Sequence, residues 1–93
     1  MKKYNFKEIS EELKIGREIE FEYNNNQYSV TNSVDGYWYL YNDSKGQELL
    51  KICRFNEKNI LIKKVSQYEI DKIITIQEIF DTFKYNINAL YIL

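Results

Sequence analysis

Two rows of side chains that could do chemistry lie in the first half of the chain, each at alternate positions. The first row is Glu18, Glu20 and Glu22, and the second is Tyr37, Tyr39 and Tyr41. On a strand, alternate residues lie about 6–7 Å apart on one face, a spacing that would suit paired catalytic carboxylates or a divalent-cation site. Such sites lie in clefts, and a chain of 93 residues has little room for one. The acids therefore favour a solvated face or a contact surface.

Other catalytic side chains are scarce. The sequence contains no histidine, so catalytic triads and His-based metal sites are excluded. The single Cys53 follows Ile52 and precedes Arg54, but adjacent strand residues point to opposite faces, which indicates a packing residue. We therefore predict a non-enzymatic protein with no metal and no cofactor.

Residues 17–41 predict three consecutive antiparallel strands, because apolar and polar residues alternate with a period of two. Asn24-Asn25-Asn26 and Asp35-Gly36 are the expected turns, the second of type I′. The predicted core face consists of Ile19, Phe21, Tyr23, Tyr28, Val30, Val34, Trp38 and Leu40. The opposite face consists of Glu18, Glu20, Glu22, Ser29, Thr31, Ser33, Tyr37, Tyr39 and Tyr41.

A helix is predicted on each side of this meander. The first spans about Phe6 to Ile15, with Asn5 as its cap and Glu8 completing a capping box. A fourth strand is expected from Glu48 to Phe55, although two consecutive leucines blur its alternation. Asn56 then resembles the cap of the second helix.

The last third of the chain predicts a helix and a strand. Thr75 and Glu78 form a second capping box. The apolar helix positions that follow are Ile76, Ile79, Phe80 and Phe83. Residues 69–74 are ambiguous between a loop and a short strand, and residues 86–93 suit a buried strand that pairs with the sheet. The predicted class is α+β, with residues 1–93 as a single domain.

Composition narrows the function classes. The formal net charge of −1 gives no overall field that would attract nucleic acid. The segment 17–48 is acidic, with two basic against six acidic side chains, whereas 49–93 has seven basic against five acidic. No apolar run reaches the roughly 20 residues of a membrane span, and no signal peptide opens the chain, so a cytoplasmic location is expected.

The tyrosine row allows three interpretations. The side chains could pack under a helix, form a protein-binding patch, or stack on bases. The neighbouring glutamates argue against base stacking, because they would repel phosphates.

The chain resembles small uncharacterised proteins of low-GC Gram-positive bacteria, their phages and mobile elements. The matching segments are Gly16-Arg17-Glu18-Ile19-Glu20-Phe21, Tyr28-Ser29-Val30, Gly36-Tyr37-Trp38-Tyr39-Leu40 and the Thr75-to-Phe83 helix. These motifs are structural and transfer no functional residues. The resemblance implies an inhibitor of a bacterial defence nuclease, similar to anti-CRISPR proteins that occupy basic grooves.

The first hypothesis is therefore a binding protein whose acids meet a basic partner protein while its tyrosines supply buried area. The contact residues would be Glu18, Glu20, Glu22, Tyr37, Tyr39 and Tyr41. One alternative is a nucleic-acid-binding or antitoxin-like regulator that uses the basic C-terminal half, including Lys58, Lys63 and Lys64. Another is a structural homo-oligomer, such as a homodimer, that pairs through the tyrosines or a free sheet edge.

Overall fold

The computed structural model describes residues 2–93 and has the predicted α+β architecture. Its strands are β1 (Ile19–Tyr23), β2 (Asn26–Asn32), β3 (Tyr37–Asn42), β4 (Gln47–Arg54), β5 (Glu69–Ile70), β6 (Ile74–Thr75) and β7 (Tyr91–Ile92). Its helices are α1 (Phe6–Lys14), α2 (Lys58–Gln67) and α3 (Ile76–Asp81), with a 3-10 turn at Ile87–Ala89. None of these helices is long and apolar enough to span a bilayer.

The main sheet is antiparallel, with the strand order β4-β3-β2-β1-β7. The chain's last strand therefore pairs with β1, as predicted, and the sheet has five strands. The strand consists of Tyr91 and Ile92 only, after a 3-10 turn at Ile87–Ala89, and Tyr91 is 50% exposed, so the prediction of a buried strand over residues 86–93 was wrong in extent and in burial. The ambiguous segment 69–74 supplies β5 and the first residue of β6, which form a separate two-stranded hairpin.

One apolar row fixes the register of the main sheet. The directly paired residues are Ile92, Ile19, Val30, Leu40 and Leu50, from β7 across to β4. Ile19, Val30 and Leu40 are completely buried. A shift of one residue would turn the acidic side of β1 into the core, so burial holds the pairing in place.

The helices lie on the side of the sheet that carries this apolar row. Phe6, Ile9 and Leu13 of α1 belong to one buried cluster with the sheet residues, as do the apolar residues of α2 and α3. In this cluster the Phe80 ring meets the Phe21 ring edge-on at 5.1 Å between centroids. One face of the sheet is thereby covered, and the other is left without a helical layer.

The capping box predicted for α1 is confirmed. The Asn5 side chain accepts from the Glu8 N–H, and the Glu8 carboxylate accepts from the Asn5 N–H. Thr75 likewise caps α3 by accepting from the Glu78 N–H. Both caps satisfy amide groups that the first helical turn leaves without a partner.

The second hairpin turn differs from the prediction. Gly36 alone has a left-handed backbone, with φ of +86°, and its N–H donates to the Ser33 carbonyl. The loop is therefore a three-residue connection with a glycine bulge, and the type I′ prediction was wrong there. Val34 lies at the tip of this loop and is fully exposed, so its placement in the core was wrong too. The type I′ geometry belongs to Asn24 and Asn25, which both have positive φ.

Two helix predictions also fail at their ends. The residue that precedes α2 is Glu57, whose side chain makes no capping bond, so Asn56 is not the cap. Helix α3 ends at Asp81, and Phe83 follows in a left-handed conformation and is 44% exposed. Phe83 therefore does not continue the buried face of the helix.

Strand β4 contains two bulges that explain its blurred alternation. Leu40 pairs with Leu50 while Tyr41 pairs with Glu48, so Leu49 is an extra residue. Ile52 is extra in the same way between Lys51 and Cys53. Each bulge lets two consecutive apolar side chains turn toward the core and increases the local twist of this edge strand.

The two asparagines provide a matched test of helix capping. We expect Asn5→Ala to lower the free energy of unfolding by about 1 kcal/mol, because it removes the capping bond to the Glu8 N–H. Asn56→Ala is expected to change it by less than about 0.5 kcal/mol. Urea denaturation of both variants measures the difference, and equal losses would contradict the capping assignment.

Candidate protein-binding face of the sheet

The glutamate and tyrosine rows lie on the same side of the sheet, two strands apart. Glu20 of β1 pairs with Ser29 of β2, which pairs with Tyr41 of β3. Neighbouring strands lie about 4.8 Å apart, which separates the two rows by roughly 10 Å. We call this side the outer face, and it carries Glu18, Glu20, Glu22, Ser29, Thr31, Tyr37, Tyr39, Tyr41, Glu48, Lys51, Arg54 and Tyr91.

No helix of residues 2–93 lies over the outer face, so the tyrosines do not pack under one. Tyr37 and Tyr41 are half-buried and Tyr39 is 8% exposed, because the side chains of the face cover one another. Between the two rows, Ser29 is also buried, and its hydroxyl donates to the Asp43 carboxylate at 3.1 Å. The face is therefore packed within its own plane.

The tyrosines form an ordered ladder. The rings of Tyr39 and Tyr41 stack at 5.7 Å between centroids and 19° between planes. The Lys51 ammonium lies 4.1 Å from the centroid of the Tyr37 ring, a favourable cation–π distance. Rings held in this way lose little conformational freedom when a partner covers them.

A carboxylate at the hairpin tip holds the ladder from one end. The Tyr39 hydroxyl donates to the Asp35 carboxylate, which also accepts from the Tyr37 N–H at 3.0 Å. The hydrogen bond to Asp35, together with desolvation and the Asp35 charge, raises the pKa of Tyr39 to about 12. The same bond lowers the pKa of Asp35. The exposed hairpin tip is thereby joined to the tyrosine row.

The three glutamates do not have the same role. The Glu18 carboxylate accepts from the Asn32 N–H at 2.9 Å, just beyond the paired part of β1 and β2. The Glu22 carboxylate accepts from the Asn86 amide at 2.6 Å and ties down the segment that leads to β7. The Glu20 carboxylate makes no hydrogen bond or ion pair within residues 2–93, so it is the acid of the row that is most available to a partner.

Four outer-face residues were missed by the sequence patterns. Glu48, Lys51 and Arg54 face outward because of the bulges in β4, which no alternation rule could place. Tyr91 pairs with Glu20 and is half exposed, although it lies within an almost continuous apolar run. The face on which Tyr91 lies could not be predicted, because apolar and polar residues do not alternate in that run. Lys51 also makes the β4 side of the face less acidic than the β1 side.

The side chains of residues 2–93 give little support for catalysis or metal binding. The Cys53 thiol is buried, and its burial raises its pKa and disfavours the reactive thiolate. Within residues 2–93, no group of three or more Cys, Asp or Glu side chains is arranged to hold a metal ion.

Two of the three lysines considered for nucleic-acid binding, Lys58 and Lys64, are engaged in contacts within the protein. The Lys58 ammonium is buried 3.9 Å from the centroid of the Phe55 ring. The Lys64 ammonium donates to the Ile52 carbonyl at 3.0 Å and so covers part of the free edge of β4. Both contacts compete with binding to phosphates, and the second protects the edge from strand pairing.

Comparison with known proteins gives no relative: no family model, curated protein or solved structure matches the chain.

The Asp35–Tyr39 bond makes a testable prediction about ionisation. Asp35→Asn is expected to bring the pKa of Tyr39 down from about 12 toward the ordinary value of about 10, because the amide carries no negative charge. The pKa is measured by NMR titration of the Tyr39 ring carbons. Asp43→Asn is the matched control, since Asp43 bonds Ser29 instead. A Tyr39 pKa that stays near 12 in Asp35→Asn would contradict the assignment.

The Asp35–Tyr39 hydrogen bond also contributes to the stability of the fold, and its contribution depends on pH. The pKa of Tyr39 is higher in the folded state than in the unfolded chain. The bond therefore stabilises the fold fully below about pH 10 and loses this effect as the pH rises toward about 12.

Proposed function

We propose that this protein is a non-enzymatic binding module whose outer face docks on a partner protein with a basic surface. The observation that carries the proposal is an ordered tyrosine ladder on a sheet face that no helix covers. The unpaired carboxylate of Glu20 lies in the same row as Tyr41, one strand away on the far side of Ser29. Rigid tyrosines supply contact area, and nearby acids steer and select a basic partner.

A protein is favoured over a nucleic acid by the charges around the Tyr41 ring. Glu20 and Glu48 lie in the same row as Tyr41, one toward each edge of the sheet. Carboxylates in these positions repel phosphates approaching the ring. The stacking of Tyr39 on Tyr41 also leaves less ring surface for bases.

The partner that this chemistry suits is a protein with a groove rich in Lys and Arg. Nucleases have such grooves because they must bind a phosphate backbone. This chemistry suits the role that the sequence resemblance implies, an inhibitor of a bacterial defence nuclease. The inhibitor would occupy the groove and exclude the nucleic acid.

The first test compares variants that leave the hydrogen bonds of the fold intact. Glu20→Lys and Tyr41→Ala are expected to weaken partner binding at least about tenfold each, because one reverses a steering charge and the other removes a buried ring. Glu11→Lys is the charge-matched control on the exposed side of α1. Nuclease-treated pull-downs from host lysate, quantified by mass spectrometry, identify the partner and compare the variants.

The proposal requires a protein that wild type and Glu11→Lys retain and that both outer-face variants lose. Binding to that protein should weaken as salt is added. A partner retained equally by all four proteins would mean that the outer face is not the docking surface. Circular dichroism of each variant checks that it is folded.

A further inference from the structure

A small polar pocket lies between the end of the main sheet and the β5–β6 hairpin, on the side of the sheet that carries the helices. Its volume is about 100 Å³. The residues that line it are Tyr28, Asn42, Lys45, Gln47, Leu49, Tyr68, Ile70 and Asp71. They come from three separate segments of the chain, so the pocket exists only in the folded protein.

The walls of the pocket are held by hydrogen bonds within the fold. Asn42 is buried, and its side-chain oxygen accepts from the Lys45 N–H at 3.1 Å, which fixes the β3–β4 turn. On the opposite wall, Asp71 and Lys72 have φ of +55° and +58° and turn the chain between β5 and β6. Aspartate tolerates this left-handed conformation better than most residues. The carboxylate of Asp71 is therefore presented from a tight turn.

Two hydroxyls and one carboxylate of the pocket lack a hydrogen-bond partner among the described residues. Neither the Tyr28 hydroxyl nor the Tyr68 hydroxyl makes a hydrogen bond within residues 2–93, and the same holds for the Asp71 carboxylate. Both phenols and the Asp71 carboxylate line the pocket. Burial raises the pKa of both phenols, and the charge of Asp71 raises it further. The two rings and the carboxylate thus face a common space.

We infer that this pocket binds the guanidinium group of an arginine side chain. A planar guanidinium can bond a carboxylate through two parallel N–H groups and stack on a tyrosine ring. Asp71 supplies the carboxylate and the half-buried Tyr68 supplies the ring, since the Tyr28 ring is buried and stacks on Phe21. The volume suits a side-chain head group of a few atoms and is too small for a drug-sized ligand.

The source of the guanidinium rests on the proposed function: it is an arginine on the basic surface of the partner. Lys45 and Gln47 of the pocket belong to the β3–β4 hairpin, whose Glu48 pairs with Tyr41 on the outer face. Tyr28, Asn42 and Gln47 of the pocket form a paired row on the helical side of the sheet, whereas Ser29, Tyr41 and Glu48 face outward. A partner on the outer face therefore reaches the pocket by extending around the end of the β3–β4 hairpin. The pocket would add selectivity for arginine to an otherwise general attraction for basic proteins.

Lys45 is the group that opposes this binding. Its side chain lines the pocket and belongs to an exposed turn, so its ammonium can move away from an incoming cation. Its removal should therefore tighten binding, whereas loss of the Asp71 charge should weaken it. These opposite signs separate an electrostatic site from a nonspecific contact.

The test is an NMR titration of the protein with N-acetyl-arginine amide, and with N-acetyl-citrulline amide as the uncharged analogue of the same shape. We expect saturable shifts of the backbone amides of Gln47, Tyr68 and Asp71 with the arginine compound alone. Asp71→Asn should weaken this binding at least about tenfold. Lys45→Ala should strengthen it a few fold.

Three results would overturn the inference: no saturable shift, equal shifts with citrulline, or unchanged binding in Asp71→Asn. Asparagine also tolerates a left-handed backbone, so Asp71→Asn should keep the turn, and Tyr68→Phe provides a second variant that removes an acceptor. The titration needs no partner. Its failure would overturn the pocket inference and leave the outer-face proposal standing. Partner binding that is lost in the outer-face variants but unchanged in Asp71→Asn would show that the partner does not insert an arginine into the pocket.

Discussion

The arrangement of the whole molecule depends on the burial of one apolar row across the sheet. Ile19, Val30 and Leu40 are completely buried under the helices, and their pairing fixes the register of β1, β2 and β3. Because side chains alternate along a strand, this register also decides which residues face away from the helices. The glutamate and tyrosine rows share a face as a direct consequence.

A sheet with helices on one side leaves its other side to be stabilised by its own side chains. Here the outer face is held by stacked tyrosine rings, by the bond from Tyr39 to Asp35, and by the bonds of Glu18 and Glu22 to neighbouring segments. These contacts order the face before any partner arrives, which reduces the entropy lost on binding. Glu20 remains unengaged among them, and this contrast supports assigning it a role in recognition.

Local patterns predicted most of the fold. The α1 capping box and the meander follow from spacing and alternation, and the structure confirms them. The fourth strand and the pairing of the terminal strand followed from apolar character alone, and both are also found. The failures lie where backbone conformation outweighs residue type. Asp35-Gly36 forms a bulged loop, which exposes Val34, and Asn56 does not cap α2 although asparagine is a favoured cap.

The candidate site was predictable only in part, for a related reason. Alternation correctly placed the two rows on one face, because β1 and β3 are regular. It could not place Glu48 and Lys51, which turn outward only because β4 has two bulges. Tyr91 lay in an apolar run without parity, and the pocket around Asp71 joins segments that are distant in the sequence. Contacts of this kind depend on the tertiary fold.

The central claim is that the outer face is the docking surface, and hydrogen exchange on the assembled complex tests it most directly. The partner captured in pull-down would be added to the protein, and protection of backbone amides compared with the free state. The account predicts new protection in β1, β2 and β3, with α1 and α3 unchanged. Protection confined to the helices, with the sheet exchanging as in the free protein, would contradict it.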